Sequence, residues 1–156
     1  MAGHSSFAGE LGAAGGSVVD LFASGGVLLL LDQWSKRMVK LHVSDRCISW
    51  GPILRIRRVT HLKDIYRRDG ARAALVLLWF TALISTILLH RTGFWFQSHV
   101  ALFGLGLALG GAAGNLFDIL RFRSIVDFID LQWWPVFNLA DVAIVGGLLA
   151  ALWHPN

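Results

Sequence analysis

Charge is what this sequence has least of. Only 15% of its 156 residues are Asp, Glu, Lys or Arg, against 55% hydrophobic, and the mean hydropathy is +0.59. A soluble domain of this length needs more charge to cover its surface. Cysteine is almost missing: Cys47 stands alone, which excludes an intrachain disulfide and a thiolate metal cluster. The six histidines are scattered without a His-x-x-x-His pair, so no metal site is expected. The opening stretch, MAGHSSFAGELGAAGG, lacks Lys and Arg and shows no cleavage pattern ahead of an apolar core. The first apolar segment is therefore expected to be retained, not removed as a signal peptide.

Long apolar runs are what the chain does have. Four of them, about 18–31, 71–89, 98–117 and 137–153, approach the roughly 20 helical residues that cross a bilayer core. Lipid leaves open sheet unpaired, so the spans are expected to be helices. The expectation is one all-α integral membrane domain over 1–156, with four transmembrane helices and a small extramembrane β element in the first connection, about 33–70. There, Gly51-Pro52 marks a turn and Ile53 to Val59 alternates like a short strand. Gly106, Gly110 and Gly114 recur every four residues, a small-residue stripe that admits another helix closely. Trp133 and Trp134 flank the fourth run as interfacial anchors, and Pro135 suits a helix start.

The net charge of +4 is unevenly placed: ten of the 14 basic residues lie between Lys36 and Arg68. A basic segment tied between spans is expected to meet membrane lipid headgroups and not nucleic acid. By the positive-inside rule, the first and third connections would face the cytoplasm.

Acids beside hydrocarbon are the sharpest feature. GNLFDILRFRSIVDFIDLQWWPVFNLAD, residues 114–141, holds four aspartates and two asparagines between two apolar runs. Asn115 and Asp118 share a helix face at the end of the third run, and Asn138 and Asp141 repeat that spacing at the start of the fourth. The chain reverses between them, so the two faces meet at one membrane depth, near Asp127. Helix capping and interfacial solvation account well for Asp118 and Asp130. They account poorly for Asp141, a turn inside its helix and followed by apolar sequence, and intramembrane ionisable residues are functional by default. Two close carboxylates in low dielectric share a proton. One then serves as base toward water and the other as acid toward a carbonyl oxygen, which is peptide hydrolysis without a covalent intermediate. Proton or ion translocation is the competing chemistry.

LDQWSK, GGAAGNLFD, SIVDFID and WPVFNLAD, in this order, resemble the lipoprotein signal peptidases (signal peptidase II). The resemblance implies a four-span, multi-pass peptidase of the bacterial inner membrane, with both termini cytoplasmic and the acids on the outer side. That orientation is the reverse of the one the basic first connection suggests. The enzyme would cleave a lipid-modified prolipoprotein before a cysteine carrying diacylglyceryl, and no cofactor is implied. It places the catalytic aspartates at Asp127 and Asp141 and supporting polar residues at Asn115, Asp118, Asn138, Asp32 and Lys36. Two departures stand out. The family's arginine after the GNxxD aspartate is Ile119 here, with Arg121 and Arg123 as stand-ins. The family's Asn-x-Gly-x-Ala-Phe stretch reads THLKDIYRRDG, with His61 and Tyr66 near its Asn and Phe. They leave a second expectation beside the enzyme: a diverged, non-catalytic subunit of a larger membrane complex.

Overall fold

The computed structural model describes residues 16–43, 48–50, 52–61, 68–93 and 95–153. The N-terminal stretch expected to be retained, Cys47, Gly51 of the expected turn, Tyr66 and the side chain of His61 lie outside that description. The elements run α1 (Val18–His42), β1 (Ile48–Trp50), β2 (Leu54–His61), α2 (Asp69–Arg91), α3 (His99–Phe122), β3 (Ile125–Asp130) and α4 (Leu139–Leu152).

Three helices, α1, α2 and α3, are long and apolar enough to cross a membrane, while α4 is apolar but only 14 residues long. At 1.5 Å per residue α4 reaches about 21 Å, short of the roughly 30 Å hydrocarbon core. The first helix runs well past the expected end near Leu31, to His42. Its first charges do not stop it, because Asp32 and Lys36 stand four apart and pair at 2.7 Å. Ser17 and Asp20 form the capping box that starts it.

The glycine-rich α3 is the centre of the bundle. Its glycine stripe admits α1: a Cβ at Gly106 would meet Leu21 and Ser24, one at Gly110 would meet Gly25, and one at Gly114 would meet Asp32. Another face receives α4, where a Cβ at Gly111 would stand 2.6 Å from the Ala140 carbonyl oxygen. The second helix leans on α3 more lightly. Its Trp79 indole donates to the Leu109 carbonyl at 2.9 Å, and Leu77, Leu78, Phe80, Ile84 and Leu88 all point outward. Such an apolar exterior suits hydrocarbon, not water.

The three strands form one antiparallel sheet in the order β1-β2-β3. The strand expected over Ile53 to Val59 is there as β2, but β3 was read only as a return segment. Its partner is some 70 residues distant in sequence, with Val59 opposite Asp127, so local pattern could not reveal the pairing. A bulge between Ile56 and Val59 puts one extra residue into β2. Val39 and Val43 of α1 pack with Phe128, Ile56 and Ile129, seating the sheet on the end of that helix. The loop after β3 then returns: Phe137 exchanges backbone hydrogen bonds with Ile129 at 2.8 and 3.1 Å. Pro135 lies within that loop and does not start the helix; Asn138 caps α4 and Leu139 begins it.

Candidate active site

The seven polar side chains expected to be catalytic or supporting meet at one end of the bundle, where the sheet sits. On α1, Lys36 is 1% exposed and touches three groups. Its Nζ lies 2.7 Å from Asp32 Oδ2, 2.9 Å from Asp118 Oδ2 and 2.9 Å from Asn115 Oδ1. Asn115 and Asp118 do share a face of α3, and that face meets the lysine. Asp118 is no cap. It is fully buried, and a charge so placed persists only with a partner at hand.

From Lys36 the network passes through Asn115 to α4. The Asn115 Nδ2 donates to Asp141 Oδ1 at 2.9 Å, while its Oδ1 also accepts from Asn138 Nδ2 at 3.1 Å. Asn138 is fully buried and joins the two acids. Its Nδ2 donates to Asp127 Oδ1 at 2.7 Å, and its main-chain N–H donates to Asp141 Oδ2 at 3.1 Å. Its Oδ1 in return accepts from the Asp141 N–H at 3.0 Å. The three-residue spacing of Asn138 and Asp141 is therefore a capping box, not two positions on one helix face. Capping does describe Asp141, contrary to the sequence expectation, and the same bonds tie it to Asp127. The strand β3 supplies Asp127 from a rigid, paired backbone, so its position is set by the sheet and that of Asp141 by the helix start.

Two participants were not named from the sequence. The Ala140 main-chain N–H donates to Asp32 Oδ1 at 3.1 Å, linking the first and last helices. Gln33 reaches the Gly114 carbonyl at 3.2 Å and Asp32 at 3.3 Å. A backbone donor is invisible to residue type, but Gln33 sits inside the LDQWSK motif. Asp130, outside the network, is also no cap: its Oδ2 meets Arg57 Nε at 2.5 Å. The Gln132 N–H bond, at 2.8 Å, and then Arg57 hold its carboxyl below the usual range.

Ile119 is 6% exposed and lies in the wall of an apolar groove of about 640 Å3 between α2, α3 and α4. Arg121 and Arg123 are exposed and do not replace an arginine there. Within the groove the Thr86 hydroxyl and Trp79 indole are spent on backbone carbonyls, leaving the Asn115 amide as its polar end. Among the described residues no group of His, Cys, Asp and Glu is arranged to hold a metal ion.

A family model described as signal peptidase (SPase) II matches residues 24–155. The chain belongs to the signal peptidase II family. The lipoprotein signal peptidase of Moorella thermoacetica is 37% identical over 134 residues, covering 82% of this chain and 87% of the relative. That of Halothermothrix orenii is 37% identical over 137 residues, covering 82% and 91%. A solved structure described as a bacterial membrane enzyme has the same fold, with a TM-score of 0.73, 18% identity and coverage of 88% of this chain and 92% of that one. As a signal peptidase II family member, the chain is a multi-pass membrane protein of protease ancestry, consistent with its apolar helices.

Proposed function

We propose that this protein is an aspartic endopeptidase that removes signal peptides from prolipoproteins, with Asp127 and Asp141 as its acid–base pair. One observation carries the reading: a single buried amide residue, Asn138, donates to both carboxylates. A dyad needs its two acids held near each other without a lysine between them, and here the cation, Lys36, is confined to Asp32, Asp118 and Asn115. Low dielectric disfavours two ionised carboxylates, so one proton is shared. The ionised acid takes a proton from water as that water attacks the scissile carbonyl. The protonated acid donates to the carbonyl oxygen; as the resulting diol collapses it recovers that proton, and the other acid passes the proton it took from water to the leaving amine. Asn115, Asp118, Asn138, Asp32 and Lys36 orient the pair.

The apolar groove ending at Asn115 suits a hydrophobic signal segment, with the scissile bond at the polar end and the diacylglyceryl-modified cysteine beyond it. In this reading the whole chain is one membrane unit. Its four helices cross the bacterial inner membrane, α4 completing its crossing with flanking residues, and both termini face the cytoplasm. The second reading, a non-catalytic subunit of a larger complex, draws on buried Ile119, which leaves the groove without the family's cation. Purified protein incubated with a diacylglyceryl-modified prolipoprotein separates the two. Release of the signal peptide by the wild type, lost by at least 10²-fold in Asp127→Asn and Asp141→Asn, is expected of an acid–base pair. Inert wild-type protein would favour the subunit, and active variants would end the dyad assignment.

A further inference from the structure

Positive charge gathers at the sheet end of the bundle beyond what the local acids neutralise. Lys36 sits between two carboxylates, Asp32 and Asp118, leaving one negative charge for Lys40, a turn further along α1. Arg57 and Arg58 are consecutive on β2. Arg57 turns to Asp130, and Arg58 comes within electrostatic range of Lys40. At the end of α3, Lys40 Nζ stands 4.1 Å from the centre of the Phe122 ring, and Arg121 Cζ lies 5.5 Å from the same ring. Neither Arg58 nor Arg121 forms an ion pair with an acid among the described residues. Two cations at one aromatic ring and a third beside them repel unless an anion joins them; the ring itself offsets about 0.5–1 kcal/mol at an exposed site.

We infer that Lys40 and Arg121, which meet at Phe122, together with the neighbouring Arg58 bind the phosphate of an anionic phospholipid at the rim of the candidate active site. The inference rests on the proposed membrane crossing, which puts the ends of α1 and α3 at headgroup depth. Exposed Phe117, Leu120 and Phe122 continue from the cations along α3 and offer an acyl chain an apolar track, so the occupant is a lipid and not free phosphate. Each basic residue near an anionic surface contributes about 1 kcal/mol, or roughly fivefold in binding.

The test uses the full chain in nanodiscs of phosphatidylcholine doped with phosphatidylglycerol, with retained lipid counted by native mass spectrometry. Wild-type protein is expected to retain phosphatidylglycerol over phosphatidylcholine. The Arg58→Gln/Arg121→Gln protein should lose about 25-fold of that preference, two arginines at roughly fivefold each. Arg91→Gln, at the far end of α2, should keep it. Thermal unfolding in pure phosphatidylcholine should match between the double variant and wild type, since both arginines are exposed. Equal retention of the two lipids by wild type, or undiminished preference in the double variant, overturns the site. So does an equal loss in Arg91→Gln, because the effect would then belong to net charge. The readout is lipid, not cleavage: an inactive protein with intact preference counts against the proposed protease alone.

Discussion

Asn138→Ala is the most demanding perturbation of the proposed dyad. The side chain makes one bond to a carboxylate, Asp127, at 2.7 Å, worth about 1.5–3 kcal/mol for a charged partner. Its bond to Asn115 at 3.1 Å adds about 1 kcal/mol, and the cap it gives the Asp141 N–H at 3.0 Å about 1 kcal/mol more. Because Asn138 is 0% exposed, water does not replace these bonds without rearrangement. The expected destabilisation is about 3–5 kcal/mol, read from reversible unfolding in mixed micelles. In the folded fraction, Asp127 loses the donor that fixes it against Asp141. Cleavage of a lipidated prolipoprotein should fall in kcat on the order of 10²-fold with KM little changed, the signature of an interaction made for the transition state. Asn138→Ser separates the two roles: serine caps well, so about 1 kcal/mol returns, but its shorter side chain does not reach Asp127 and kcat stays low. A wild-type kcat in the alanine variant, or a stability loss under about 1 kcal/mol, would refute the reasoning that the Asn138 side chain both fixes Asp127 and caps α4.

Gly110→Ala forces a methyl group against the α1 backbone at Gly25, whose Cα would stand 2.7 Å away; unfolding should show a loss of about 1–3 kcal/mol or more, and an unchanged midpoint would mean α1 and α3 are not packed so closely. Asp130 has a folded pKa below its ordinary value, so its stabilisation is present above roughly pH 4 and disappears as pH falls through the folded value. Asp130→Asn should therefore unfold more easily than wild type at neutral pH, the gap closing in more acidic buffer; a gap that widens on acidification contradicts the sign. A reporter fused after Asn156 should be active in the cytoplasm despite the ten basic residues between Lys36 and Arg68, and exposure of the fusion outside intact cells would invert the proposed topology.

Much of the fold was legible because its signals are local. Apolar run length set the start of each helix to within two residues, and a four-residue glycine repeat marked the face that α1 occupies. Where the reading stopped short, the cause was non-local. The end of α1 depended on Lys36 finding Asp32 and Asp118, which lets a helix carry charge inward. The third strand depended on β2, far away in sequence, and Pro135 was overruled by the Asn138 cap. The convergence of polar residues was readable from spacing and chain reversal, but their wiring was not. Spacing alone could not say that Asp118 answers to a lysine on α1, or that a cap would link Asp141 to Asp127.

That linkage also bears on timing. Asp127, Asn138 and Asp141 all follow α1, α2 and α3 in the chain, and Asp32, supplied early by α1, waits for the Ala140 N–H. Until α4 packs against α3, Lys36 and its two carboxylates have no amide bridge to a second acid pair. Under the proposed function, a nascent chain that has placed only its first three helices is proteolytically silent, and the active site comes into being only when α4 docks.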